Sequence, residues 1–243
     1  MPPLALKCIA SWKKYCPDYE IIEWNESNFD VNYNRFTREA YESKKWAFVS
    51  DVARLWALTE HGGIYMDTDC ELIRPIDNLL DLDAVSGFEG GVLVTTALMG
   101  CTKGHELFVE MLTDYDDRQF KLPNGELNTT TNVSYITDTL LKYGLVLNNQ
   151  LQTVRGFTLY PTDFFCPKNY GTGKLKITSN TYSIHHYSSS WQDEISLRRK
   201  QRRNILCKFF GVKIGVKLYN AWHVFETGGL RGVFAKIRKG REK

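Results

Sequence analysis

The stretch 46-WAFVSDVARLWALTEHGGIYMDTDCELIRP-75 decides how this chain folds and what it can hold. Val52, Leu55, Trp56 and Thr59 recur at the i, i+3, i+4, i+7 spacing of a helix that buries one stripe. Ser50, Asp51 and Arg54 fall on the neighbouring polar face, which is open to a ligand. Gly62 and Gly63 follow the last periodic residue, where a left-handed turn ends a helix without a Cβ to clash. Ile64, Tyr65 and Met66 then read as a short buried strand with Asp67 and Asp69 at its carboxyl end. Side chains two apart on an extended segment point the same way, so the two carboxylates converge. Like charges so placed need a cation between them or a proton on one. Two carboxylates cannot enclose a divalent ion without waters or a substrate diphosphate, which is how the protein side of a metal-nucleotide site looks. An isolated Asp-x-Asp is common in solvated turns, and it is the surrounding pattern that singles this one out.

Ser50-Asp51-x-x-Arg54 followed by Gly62-Gly63-Ile64-Tyr65-x-Asp67-x-Asp69 resembles the signature of the retaining glycosyltransferases with a DXD sugar-binding region, family 32. That family includes bacterial capsule and lipopolysaccharide transferases and the yeast initiating mannosyltransferase. The glucosyltransferase domains of the large glucosylating toxins are similar. The resemblance runs from about Leu4 to Trp191. It implies an α/β, GT-A-like fold with a mixed central sheet. It also implies metal-dependent, retaining transfer of a hexose from a nucleotide diphosphate sugar, a UDP-sugar first and GDP-mannose second, to a glycan or lipid-linked glycan in surface polysaccharide synthesis. By the same resemblance Asp51 and Arg54, with Ser50, hold donor-sugar hydroxyls and Tyr65 lies against the donor. Asp67 and Asp69 bind sugar and a divalent Mn or Mg, with Asp69 the closer ligand. The family's opening strand, which ends in a His-x-x-Trp-like segment beside the nucleotide, has no counterpart before Leu4, so the sheet is expected to lack it.

Away from that centre, Leu4–Tyr15 reads as a helix with Leu4, Cys8, Ala10 and Trp12 inward, and Tyr19–Trp24 as a strand. Arg35–Ser43 reads as a helix. Ile76–Leu80 makes a helical turn, and Ala84–Gly87, Val92–Thr96 and Leu98–Gly100 are strands between glycines. Helices alternating with strands give a mixed α/β sheet, and ligands of such sheets gather beyond the carboxyl ends of the strands. Glu89, in Phe88-Glu89-Gly90-Gly91, stands where a carboxylate can steady an oxocarbenium-like centre or orient an acceptor hydroxyl, although an exposed turn would look the same. His105 reads as the start of a helix, and the polar run Asn128–Asn132 as a candidate acceptor-side loop. Gly144–Tyr160 suggests a hairpin about Arg155-Gly156, and Thr181–Ile184 a strand leading into His185-His186-Tyr187-Ser188-Ser189-Ser190-Trp191. Adjacent histidines on a strand face opposite ways, so one can reach a metal. With the family in view that one is His185, and Ser190 and Trp191 take the phosphates.

The 243 residues carry 43% hydrophobic content, enough for a sizeable core, with a catalytic domain expected over 1–193 and a tail over 194–243. The six cysteines show no zinc spacing and read as free buried thiols of a reducing compartment. No signal peptide is legible at Met1-Pro2-Pro3, which points to a cytoplasmic chain. From Leu197 onward basic residues dominate a chain whose net charge is only +3, and Ile205, Leu206, Phe209, Phe210, Val212, Ile214 and Val216 are interleaved with lysines. That basic amphipathic helical pattern suits the anionic inner face of a membrane. No recognition helix or stacking platform points to nucleic acid. Two rivals stand beside transfer. An Asp-x-Asp phosphohydrolase of the haloacid dehalogenase type wants a threonine where Glu71 stands, and a catalytically silent sugar-nucleotide or glycan binder fits the missing strand.

Overall fold

The computed structural model describes residues 1–188 and 194–241. Its elements divide between two compact units, one of 1–167 with 176–191 and one of 168–175 with 192–243. In the first unit α1 (Pro3–Tyr15), α2 (Arg35–Glu42) and α3 (Trp46–His61) precede β1 (Gly63–Met66) and β2 (Cys70–Leu72). A 3-10 turn (Asp77–Leu79) then leads to β3 (Ala84–Glu89), β4 (Leu93–Val94), β5 (Leu98–Cys101), α4 (Glu106–Thr113) and α5 (Asn132–Lys142). The hairpin β6 (Gln152–Val154) and β7 (Phe157–Tyr160), the turn α6 (Thr162–Phe165) and β8 (Ser183–His185) complete it.

The main sheet runs β1-β5-β3-β7-β6, with β4 paired to β3, and it is mixed because β3 and β7 are parallel while the other pairs are antiparallel. Period-two alternation feeds a core on each face. Ala84, Phe88 and Met99 join one core with α2 to α5, whereas Val85 and Leu98 join the other with α1 and α6. Separate from this sheet, β2 and β8 form a two-stranded antiparallel ribbon with Cys70 opposite His185.

α3 forms with Val52 and Leu55 fully buried and Thr59 nearly so, but Trp56 is half-buried, and Asp51 and Arg54, expected on a face open to a ligand, are buried. It stops at Gly62, whose φ of 73° is left-handed and where a Cβ would stand 2.7 Å from the Lys103 backbone nitrogen. Glycine is therefore required twice over, by conformation and by space. The Arg155-Gly156 hairpin also forms as read, both turn residues having positive φ.

Several expectations need correction. Tyr19–Trp24 is not a strand, because no described strand lies beside it to pair with its backbone. It is pinned by side chains instead, Trp24 edge-on to Trp56 at 5.3 Å and the Tyr19 hydroxyl 3.1 Å from Asp77. In α1 the inward residues are Ala5, Cys8 and Trp12 while Ala10 is exposed, since positions two apart on a helix cannot share a face with Cys8 and Trp12. β1 is half-buried rather than buried, being the edge of its sheet. Asp67 and Asp69 are not on an extended segment: Cys70 donates its N–H to the Asp67 carbonyl at 2.8 Å, closing a tight turn. All six cysteines are free and buried.

The second unit is dominated by the helical run α7 (Glu194–Arg241). As one straight helix, residues 24 apart would lie about 36 Å from each other. Arg202 Nη1 is instead 2.7 Å from Glu226 Oε1, so the run doubles back as a helical hairpin. The reversal is at Gly211, φ 74°, and Gly215 lets the arms touch, since a Cβ there would lie 2.5 Å from the Cys207 backbone. Lys200 and Arg203 pack over the Tyr170 ring in the same unit. No helix among the described residues is long and apolar enough to cross a membrane.

Candidate active site

The Asp67–Cys70 turn is fixed from both sides. The Asp67 N–H donates to the Ala97 carbonyl at 2.9 Å, which ties the turn to the residue before β5. On the other side the ribbon pairing carries the end of β8 onto Asp69: the His186 N–H donates to the Asp69 carbonyl at 3.0 Å and the Ser188 N–H to Asp69 Oδ2 at 2.7 Å. Two segments more than a hundred residues apart therefore meet at one carboxylate. β2, whose pairing makes this happen, is too short to show in the sequence as a strand.

Alternation along β8 separates the histidines as expected. His186 Nε2 lies 2.7 Å from Glu71 Oε2, a carboxylate also met by Lys7 Nζ at 2.7 Å. His185 turns the other way, with Nε2 3.6 Å from Asp69 Oδ1 and Nδ1 3.4 Å from Glu89 Oε2. Tyr187 packs on its ring at 3.9 Å between centroids. Burial pulls the His185 pKa down, but the Cys166 thiol and the Glu89 carboxylate outweigh it and hold the pKa well above the ordinary imidazole value. The ring thus lies between two acids. Glu89 is not an exposed turn residue: it ends β3, is half-buried, and accepts from Thr95 Oγ1 at 3.0 Å on the same oxygen that faces His185.

Beneath this layer lies Arg54, 5% exposed. Its Nε donates to the Ser50 carbonyl at 3.2 Å and its Nη1 to the Thr96 carbonyl at 2.8 Å, with Ser50 Oγ 3.4 Å from Nη2. Nη2 is 3.1 Å from Asp51 Oδ1 and Nη1 is 3.2 Å from Asp67 Oδ1. Each of its three nitrogens donates one hydrogen bond, to Ser50 or Thr96, and Asp51 and Asp67 pair with its charge. Arg54 is therefore turned inward, bracing the two aspartates. Tyr65 lies under its guanidinium, 4.7 Å to the ring centre, and donates its hydroxyl to Asp67 Oδ1 at 2.9 Å.

Asp51 is buried, and burial raises its pKa to about 6 against the pull of Arg54, with Asp67 adding to the rise. Its Oδ2 accepts the Asn132 N–H at 3.2 Å, and the Asn132 side chain donates to the Asp51 carbonyl at 3.0 Å. Asn132, read as acceptor loop, is thus a buried brace on α3. Asn128 bonds Tyr135, and Thr129 and Thr130 are exposed. Ser190 and Trp191 lie outside the described residues. His105 caps α4, accepting from the Leu107 N–H.

One group of ligand atoms fits a metal: one atom each from Asp67, Asp69 and His185, all within 4.8 Å of one another. Asp67 Oδ1 is engaged by Arg54 and Tyr65 and Asp69 Oδ2 by Ser188, so the second oxygen of each remains. Two carboxylates and an imidazole suit a Mn- or Mg-like ion that keeps further positions for waters or phosphate. Glu89, Cys166 and His185 form a second group at the same separation. Cys166 carried no signal in the sequence, since it lies 19 residues from His185 on another segment.

Residues 2–85 match the family described as glycosyltransferase sugar-binding region containing DXD motif. Over 101 residues the chain is 29% identical to inositol phosphoceramide mannosyltransferase 3 of Schizosaccharomyces pombe (strain 972 / ATCC 24843), an overlap of 40% of this chain and 28% of that relative. No solved structure matches. The Asp-x-Asp turn falls inside the matched region. Residues 2–85 thus match a glycosyltransferase sugar-binding region, the Asp-x-Asp of Asp67 and Asp69 lies within the match, and the chain is similar to glycosyltransferase family 32.

Proposed function

We propose that this protein is a metal-dependent retaining glycosyltransferase on a GT-A-like fold. It moves a hexose from a nucleotide diphosphate sugar to a glycan or lipid-linked glycan of a surface polysaccharide, such as capsule or lipopolysaccharide. The observation that carries the reading is the convergence of Asp67, Asp69 and His185, drawn from two distant segments, on one point. A UDP-sugar is the first candidate donor and GDP-mannose the second, the latter because the relative is named a mannosyltransferase. Residues 1–193 do the chemistry, and the basic segment 194–243 keeps the enzyme at the cytoplasmic face of the membrane.

Asp67, Asp69 and His185 would hold a divalent Mn or Mg, which would supply positive charge to the departing diphosphate. The chain's own residues do the rest by position. Arg54 neutralises and orients Asp51 and Asp67, so the carboxylates enter the reaction already aimed and need no reorganisation. Asp51 and Ser50 are assigned to the donor sugar, and Tyr65 holds Asp67 through its hydroxyl. Glu89 has one oxygen engaged by Thr95 and His185 and the other left to steady positive charge at the anomeric carbon or to orient the acceptor hydroxyl. Ser190 and Trp191 are assigned to the diphosphate. No protein nucleophile is named, since front-face displacement by the acceptor is the route the family resemblance implies.

The test is donor hydrolysis, which needs no acceptor. The purified chain is incubated with Mn and a panel of UDP- and GDP-sugars while free nucleotide is followed. Release that needs the metal and disappears in Asp69→Asn supports transfer. Nucleotide-sugar binding with no release from any donor sinks it in favour of a silent binder.

A further inference from the structure

The end of the helical hairpin carries a feature the transfer reaction does not use. On either side of Gly211, Phe209 is 76% exposed, Phe210 54%, Val212 50% and Ile214 56%. The inner residues of the same arms are small, Cys207 and Gly215, both buried where the backbones touch. Close packing of the arms thus leaves the large apolar side chains facing out at the reversal. Exposed apolar clusters of this kind are unusual on a water-facing surface and call for a partner.

Charge identifies that partner. Lys208, Lys213 and Lys217 are all exposed and lie within six residues of Gly211, and from Arg198 to Glu226 eight lysines and arginines face a single acid. A second copy of so basic a surface would repel the first. An anionic lipid leaflet would attract it and would take the apolar tip below its headgroups. The apolar cap is too short to cross a bilayer, in keeping with the absence of a spanning helix among the described residues.

We propose that the hairpin reversal at Gly211 is a membrane-docking tip: Phe209, Phe210, Val212 and Ile214 enter the outer part of an anionic leaflet while Lys208, Lys213 and Lys217 sit on its headgroups. This rests on the peripheral placement proposed above and locates it in four apolar and three basic side chains. It requires no catalysis, so the two readings can fail separately.

The full chain is sedimented with phosphatidylcholine vesicles with and without phosphatidylglycerol, at low and high salt. Donor hydrolysis and helix content by circular dichroism are measured on the same samples. Wild type is expected to bind the anionic vesicles alone. Phe209→Ser with Phe210→Ser, at positions already exposed, should weaken that binding by about tenfold or more with hydrolysis and helicity unchanged. Changing Lys208, Lys213 and Lys217 to Gln should weaken it and flatten its salt dependence. Wild type that ignores anionic vesicles overturns the peripheral placement and the tip together. Wild type that binds equally well without the two phenylalanines overturns the tip alone, and places contact on the basic arms. A chain that is dimeric by sedimentation equilibrium and becomes monomeric in the phenylalanine variant assigns the tip to a second copy and overturns the proposal.

Discussion

The carboxylate cluster around Asp67 and the hairpin around Gly211 treat charge in opposite ways. In the cluster every ionic group is buried or half-buried and each has a named counter-group: Arg54 for Asp51 and Asp67, His185 for Asp69 and Glu89. Between Arg198 and Glu226 of the hairpin most basic side chains are exposed and one acid, Glu226, stands among eight bases. Water explains the difference. An unpaired charge costs several kcal/mol inside the protein and close to nothing on its surface, so the cluster tolerates no unmatched substitution while the hairpin can keep an excess for a partner.

The largest effect is expected at the proposed metal ligands. Asp69→Asn keeps the shape and the Ser188 contact but removes a charge, and donor hydrolysis should fall about 10²–10³-fold with the melting temperature little changed. A fall in both together would make Asp69 a structural residue. Arg54→Met tests the brace: it leaves Asp51 and Asp67 facing each other without a cation and should cost ~3–5 kcal/mol in urea unfolding. Asp51→Asn in the same background should recover part of that loss.

Glu39 sharpens the contrast within the first unit. It is 8% exposed and accepts the Phe120 and Lys121 N–H groups at 2.9 and 2.8 Å and Arg35 Nε at 2.7 Å. Burial alone would raise its pKa, but these donors lower it on balance. Its contribution is therefore present above the ordinary glutamate value and lost as pH falls through the depressed one. Glu39→Ala, which strands two backbone donors, should cost about 2 kcal/mol at neutral pH and less in acid. Asp51 has the opposite sign. With its pKa at about 6, the fold favours the protonated form, so that contribution is present in acid and lost as pH rises through about 6. Asp51→Asn should flatten this slope by roughly 2 kcal/mol between pH 4 and pH 7, read from unfolding at each pH. The smallest effect belongs to the hairpin: Arg202→Ala removes an exposed ion pair with Glu226 and should change stability by about 0.5 kcal/mol or less.

What could be read from the chain was whatever periodicity and turn chemistry write locally. α3, the Gly62 stop, the Arg155-Gly156 hairpin and the opposite facing of His185 and His186 all follow from spacing within a dozen residues. The coarse class, α/β with a mixed sheet, was legible for the same reason. Tyr19–Trp24 misled because its alternation looks like a strand, while strand formation depends on a neighbour the local sequence does not specify. Glu89 was ambiguous until Thr95 and His185 closed on it. Asn132 and Cys166 had no local signature, since each matters through one contact made across the fold. Arg54 was recognised as important, but its direction was not: only the positions of Thr96, Asp51 and Asp67 show that it is turned inward.

The β2–β8 ribbon sets a timetable for the nascent polypeptide. Asp69 leaves the ribosome long before Ser188, whose N–H it accepts 119 residues later. Until that later segment emerges and pairs with Cys70–Leu72, the acidic turn is held on one side only, and the proposed metal site lacks His185. The site proposed for catalysis is therefore completed late in synthesis, at the moment the far segment threads back to the first.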